Sequence, residues 1–171
     1  MIQFRAEKTP DAGGIRAVHL AAFAPSRSEA NVVDALRAAG QATVSLVAIA
    51  EGRLAGHILF SPVSLPATAP SLRGLGLAPL AVLPEFQRQM IGTQLALRGL
   101  EVCRAAGFDF VVVLGAPDYY RRFGFRPASQ FRLTSEYGAE AEFMASELRP
   151  GALATVAGLA QYRPEFRANQ C

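Results

Sequence analysis

Between Leu80 and Thr93 the chain reads Leu80-Ala81-Val82-Leu83-Pro84-Glu85-Phe86-Gln87-Arg88-Gln89-Met90-Ile91-Gly92-Thr93. An apolar strand passes through a short polar loop into the start of a helix. The first N–H groups of a helix have no internal acceptor, and the helix dipole favours negative charge there. That combination binds phosphate, and Arg88 adds a cation. Any β–α connection shares this pattern, so the segment alone leaves both readings open. Few other side chains invite chemistry. Tyr120 lies beside Tyr119 and Phe123 on an amphipathic turn and reads there as a packing residue. His19 on a helix and His57 on a strand read as structural, with a base role as the lesser alternative for His57. Cys103 falls on the core-facing side of a helix and reads as a small apolar group. Glu85 and Asp118 are the acids nearest these segments in sequence, and neither takes a role. No Ser/His/Asp pattern, HExxH or Walker loop is present. Two histidines make metal chemistry an unattractive reading, so no metal is expected.

The elements that must carry these residues follow from pattern. Thr9-Pro10-Asp11 starts a helix that runs to about Phe23, with Thr9 as its cap and Pro10 in its first turn. A second helix spans Ser28 to Ala39, capped by Ser28 and stopped by Gly40. Val44–Ala50 and Leu54–Leu65 form a hairpin around Glu51-Gly52-Arg53. Pro66–Arg73 is a loop. Leu75–Val82 is a strand ended by Pro84, and Ile91–Ala106 is a helix ended by Gly107. On that helix Gly92, Leu95, Ala96, Gly99, Leu100 and Cys103 share one face. Phe108–Leu114 is a continuous apolar run, as a strand buried on both faces requires. The order strand, helix, strand from 75 to 114 makes a βαβ unit with parallel strands. A short helix covers Asp118–Phe123. Glu142–Leu148 and Thr155–Tyr162 are two strands around Arg149-Pro150-Gly151. The class is mixed α/β.

With 171 residues, the chain has the length of one domain, expected to span 1–171. Its hydrophobic fraction of 51% and charged fraction of 18% exclude extensive disorder. No apolar stretch reaches the roughly 18–20 residues that cross a bilayer; the longest, Gly74 to Pro84, is broken by Pro79. The start Met1-Ile2-Gln3-Phe4-Arg5 lacks a signal-peptide pattern. The expectation is a cytoplasmic protein with no membrane partner. Net charge is +3, and Lys8 is the one lysine among 17 basic residues. No basic run or aromatic–basic interleaving points to nucleic acid. Cys103 and Cys171 form no CxxC and suit free thiols in a reducing compartment.

Two segments resemble one known family. Gln87 to Gly92 resembles motif A of the GNAT N-acetyltransferases, Q/R-x-x-G-x-G/A, with Met90 where the first glycine stands. Tyr120-Arg121-Arg122-Phe123-Gly124-Phe125 resembles the family's Y-x-x-x-G-F after its fifth strand. The run Val112–Gly115 to Phe125–Ala128, with Glu147–Leu153, is similar to a bacterial subgroup of these acyltransferases. The resemblance covers nearly the whole chain. It implies a mostly antiparallel sheet with splayed parallel central strands and helices on both faces.

The same resemblance implies acetyl-CoA as co-substrate and an amine as acceptor, with a small molecule favoured. Leu80, Ala81 and Val82 would pair with the pantetheine arm. The N–H groups of Arg88, Gln89, Met90, Ile91, Gly92 and Thr93, after Gln87, would meet the pyrophosphate. Tyr120 would protonate the leaving thiolate, and the acceptor groove would involve the first two helices, Phe23 to Leu36, and the strands near the C-terminus. Met90 in place of glycine implies a weaker cofactor site. The missing acid on the fourth strand keeps open a catalytically silent acyl-CoA-binding module, and a longer acyl donor is a third reading. Many members of the family are dimers; this sequence carries no clear interface signal for a homodimer.

Overall fold

The structure is a computed structural model, and it describes residues 1–65, 69 and 71–171. The loop expected over Pro66–Arg73 therefore lies partly outside the described residues. The chain forms two compact units. The first comprises Met1–Phe60, Pro79–Gly99 and Pro164–Cys171, the second Ser61–Ala78 and Leu100–Arg163.

In the first unit, strands β1 (Ile2–Ala6), β2 (Val44–Ala50) and β3 (Arg53–Val63) form an antiparallel meander. The expected hairpin is present, with Val44 facing Phe60 and a bulge at Ala48/Ile49. β1 is an addition to the expectation. Its alternation of Ile2 and Phe4 with Gln3 and Arg5 fits a strand at a sheet edge. The next strand beyond β3 is β4 (Gly74–Val82), whose second half belongs to this unit. β3 is a central strand: Ala55, His57, Ile58, Leu59 and Phe60 have no exposed surface, although they alternate between its faces.

Helices α1 (Ala12–Ala22) and α2 (Ser28–Ala38) bury Ile15, Val18, Val32, Val33 and Leu36. The expected caps change. A single 3₁₀ turn, Thr9–Asp11, precedes α1, and the Asp11 carboxylate, not Thr9, accepts the Lys8 N–H at 2.7 Å. At α2 the Ser26 hydroxyl accepts the Ser28 N–H at 3.2 Å. Gly40 is left-handed, φ +69°, as a helix stop requires.

Helix α3 (Ile91–Ala105) contributes its first part to this unit. Gly56 on β3 lies under that helix: a Cβ there would stand 3.1 Å from both Ile91 and Leu95 side chains. At Gly99 a Cβ would sit 2.5 Å from the Phe60 ring.

In the second unit, β5 (Phe110–Leu114) is fully buried from Phe110 to Val113. It runs parallel to β4 and antiparallel to β8 (Phe143–Glu147), which also pairs β6 (Arg126–Pro127). The last two expected strands do not flank one turn as partners. β8 joins β5, whereas β9 (Gly158–Ala160) pairs in parallel with β7 (Leu133–Ser135) in a separate two-stranded sheet. β6, β7 and a closing helix α5 (Pro164–Ala168, first unit) are further additions.

Alanine in place of a mid-helix glycine ordinarily stabilises by about 1 kcal/mol. Gly99→Ala should instead lower the urea midpoint, by about 1–2 kcal/mol of stability, because Phe60 occupies the space. A higher midpoint would show that the ring can move aside.

Candidate functional site

The connection from β4 to α3 is built from the first unit. The Leu83 N–H bonds the Ala55 carbonyl at 2.8 Å, tying the end of β4 to β3. A 3₁₀ turn at Pro84–Phe86 buries Phe86, over which the Arg53 guanidinium lies at 5.3 Å. Arg53 also holds Glu85 at 2.7 Å on the surface. The Gln87 amide donates to the Val82 carbonyl at 3.2 Å. The backbone then turns left-handed twice, at Arg88 (φ +61°) and Met90 (φ +64°). Met90 precedes the helix and accepts its first bond, from the Gln94 N–H at 2.9 Å.

Among the described residues, none of the six N–H groups from Arg88 to Thr93 finds an acceptor. They are consecutive, lie at the positive end of a 15-residue helix, and pass through a backbone that alternates hand. Such a run is a concave set of donors suited to an anion with several oxygens. Left-handed φ is unfavourable for a residue with a Cβ, by about 1–3 kcal/mol. Met90 nonetheless adopts it, and the residue, 59% exposed, projects into solvent.

On the β4–β5 side, in the second unit, parallel pairing is short. It joins Gly74, Leu75 and Gly76 to Phe110, Val111 and Val112, then ends. β4 continues to Val82 and β5 to Leu114.

Tyr120 also belongs to the second unit. It ends the short helix α4 (Pro117–Tyr120), with its N–H bonded to the Ala116 carbonyl at 3.1 Å. A 3₁₀ turn follows, closed by Gly124 at φ +90°. The ring meets Tyr119 edge-on at 5.0 Å, Phe125 at 5.8 Å and Phe123 at 6.2 Å. Its hydroxyl makes no hydrogen bond among the described residues. Burial, with Tyr119 nearby, pushes its pKa up to about 12, so it carries its proton at neutral pH.

The two histidines form a cluster that sequence reading did not connect. His19 Nε2 lies 2.8 Å from His57 Nδ1, and His57 Nε2 lies 2.8 Å from Ser45 Oγ. Ser45 donates to Glu7 Oε2, and Arg37 Nε donates to Glu7 Oε1 at 2.6 Å. The chain of roles is then determined. Ionised Glu7 accepts the Ser45 O–H, Ser45 accepts from His57 Nε2–H, and His57 Nδ1 accepts from His19 Nε2–H. His19 Nδ1 remains a bare acceptor with no partner among the described residues. Both nitrogens of His57 are thus engaged, which favours its structural reading. Burial, with His57 and Arg37 nearby, lowers His19 to about 3; burial also lowers His57 despite Glu7. Burial pushes Glu7 up, but His57, Arg37 and Ser45 outweigh it and hold the carboxyl at about 2.

Other candidates resolve simply. Cys103 is buried and its thiol is pushed up to about 12. Asp118 is fully exposed, 3.9 Å from Arg121. Among the described residues no three His, Cys, Asp or Glu side chains gather as metal ligands, and no helix is long and apolar enough to cross a membrane.

The family model described as "Acetyltransferase (GNAT) domain" matches residues 3–128. The chain belongs to the GNAT acetyltransferases. Its resemblance in the segments Gln87–Gly92 and Tyr120–Phe125 is therefore one of descent, and the mostly antiparallel α/β sheet is the GNAT fold. The Escherichia coli K12 protein named "Uncharacterized N-acetyltransferase YhbS" is 38% identical over 164 residues, 95% of this chain and 96% of its own. A crystal structure of E. coli YhbS in complex with CoA matches at TM-score 0.92 and 36% identity, over 97% of this chain and 92% of that one. A GNAT acetyltransferase from Brucella melitensis in complex with acetyl-CoA matches at TM-score 0.79 and 37% identity, over 97% and 98%.

The histidine cluster gives this GNAT chain a definite acid response. Between about pH 6.5 and 3 the unfolded chain binds protons at His19 that the folded chain refuses. The unfolded state then holds more protons, so stability falls as pH falls. Glu7 extends the loss between about 4.5 and 2. Urea midpoints should be level above pH 7 and decline below 6.5, by up to about 1.4 kcal/mol per pH unit for each imidazole. A level midpoint from pH 7 to 4.5 would mean that the histidines titrate alike in both states.

Proposed function

We propose that this chain is an N-acetyltransferase that moves an acetyl group from acetyl-CoA directly to a primary amine, and that residues 1–171 act as one GNAT domain in the cytoplasm. The observation that carries the reading is the run of six unpartnered N–H groups, Arg88 to Thr93, at the start of α3. A diphosphate fits that donor set in charge and in oxygen count. The CoA and acetyl-CoA bound to the E. coli and B. melitensis relatives support the same ligand here.

In this reading Gln87, Arg88, Gln89, Met90, Ile91, Gly92 and Thr93 hold the pyrophosphate. Leu80, Ala81 and Val82 offer backbone groups to the pantetheine amides. Bound acetyl-CoA supplies an activated acetyl thioester. The amine nitrogen bonds the acyl carbon, the carbon–sulfur bond breaks, and the Tyr120 hydroxyl gives its proton to sulfur. The proton lost by the amine is relayed through solvent to the phenolate and restores the phenol. A phenol held protonated by burial suits this acid role. A small amine is favoured over a protein tail, since no acidic run is present to attract a lysine-rich peptide. The alternative, a silent acyl-CoA-binding module, draws support from the left-handed Met90 and the lack of a placed base.

Saturating acetyl-CoA, at about 100 times Kd, should add about 2.7 kcal/mol and raise Tm by roughly 5–10 °C. Thiol release should then be followed with a panel of alkylamines, amino sugars and amino acids. Tyr120→Phe should lower kcat about 100-fold with cofactor affinity kept; full turnover would remove Tyr120 from the acid role. A thermal shift with no amine acetylated would favour the silent module, and no shift would end both readings.

Met90→Gly should bind acetyl-CoA more tightly in calorimetry without loss of stability, because glycine adopts φ near +64° freely. Weaker binding would show that the methionine side chain itself contacts the cofactor.

A further inference from the structure

A proton donor whose hydroxyl has no hydrogen-bond partner among the described residues is aimed by its ring. Tyr120 is in that situation. Tyr119, Phe123 and Phe125 meet its ring at interplanar angles of 83°, 62° and 76°. A further boundary is a glycine. A Cβ on Gly115 would stand 2.3 Å from Tyr120 Cε2, 2.8 Å from Cδ2 and 3.3 Å from Cζ. Carbon atoms in contact lie about 3.5–4.0 Å apart, so the ring edge occupies the space a side chain at 115 would need.

Gly115 is not there for its backbone freedom. It is absent from the positive-φ glycines, and its N–H bonds the Glu142 carbonyl at 3.1 Å, which extends the β5–β8 pairing by one residue. Alanine satisfies both conditions. The one thing alanine lacks at this position is room for the Tyr120 ring.

We propose that Gly115 is a positioning residue: its bare α-carbon sets the place of the Tyr120 ring, and thereby the aim of the hydroxyl. The inference rests on the acid role given to Tyr120 above. Gly115→Ala keeps the strand and its hydrogen bond and moves the ring. Displacement of a reacting group by about 1 Å costs on the order of 100-fold in rate.

The test is a double-mutant cycle read in kcat, with the fastest amine of the panel and acetyl-CoA. Gly115→Ala should lower kcat about 100-fold in the Tyr120 protein while changing acetyl-CoA affinity less than about threefold. In the Tyr120→Phe protein it should change kcat little, because the ring no longer carries a proton to aim. Phe123→Leu, which loosens the half-buried ring on another side, should behave in the same way and serves if Gly115→Ala folds poorly. Full kcat in Gly115→Ala, or an equal loss in both backgrounds, overturns the proposal. A second readout needs no turnover. In tyrosine-labelled NMR, the wild-type Tyr120 ring carbon should stay in its protonated state up to about pH 11. In Gly115→Ala it should titrate nearer the ordinary value of about 10. An unchanged titration overturns the seating even if no amine is acetylated, whereas a changed one with Tyr120→Phe fully active refutes the acid role and leaves the seat standing.

Discussion

Aromatic rings in this protein stand where β-carbons are missing. In the first unit the Phe60 ring fills the space beside Gly99. In the second, Phe110 fills it at Gly74, Tyr162 at Gly76 and Tyr120 at Gly115, each at a distance no Cβ could tolerate. These contacts are why the strands and helix come as close as they do. Phe60 is the last residue of the first stretch of the first unit, and α3 passes Gly99 over its ring. Gly74 and Gly76 are two of the three β4 residues that pair with β5. Parallel pairing therefore exists where β4 has no side chains to keep the large rings away.

What lies beyond that short pairing follows from backbone chemistry. Buried backbone N–H and C=O groups need partners wherever strand pairing ends. In the first unit, the loop before α3 and the first turn of that helix leave six donors, Arg88 to Thr93, without an acceptor among the described residues. A protein rarely leaves so many backbone donors open in succession, and the complement of such a set is an anion with several oxygens. The two left-handed residues make the donors converge, and a helix dipole reinforces them. Arg88 and Met90 accept an unfavourable conformation for this, which is where conformational strain is expected to collect in a binding protein.

Much of this was legible in the residues. The continuous apolar run before Leu114 announced a strand buried on both faces, and the small residues on one side of Ile91–Ala105 announced the core face of α3. The strand–loop–helix segment and the Tyr120 turn pointed to the family. Short elements were not legible. β1 has five residues, with half its pattern polar, and β7 and β9 have three each. Strands so short are held by pairing, not by their own pattern. Caps misread for a similar reason: Thr9, Ser26, Ser28 and Asp11 are all competent acceptors, and geometry selects among them. The histidine cluster joins residues 7, 19, 37, 45 and 57, separations that no local window spans. At Met90 the identity hid the conformation, since a methionine gives no sign that it sits at φ +64°.

The course of the chain carries a consequence for how the molecule is made. Its path goes from the first unit to the second after Phe60, back at Pro79, away again at Leu100, and back at Pro164. α5, which packs on α2 and buries Phe166, belongs to the first unit. A ribosome delivering the sequence in order completes neither unit early. The first 60 residues wait for α3 and then for all of 100–163 before α5 arrives to cover α2. Nascent apolar surface must persist through most of translation, which makes folding a late and collective event. Neither unit can be cut out as a contiguous piece of the gene.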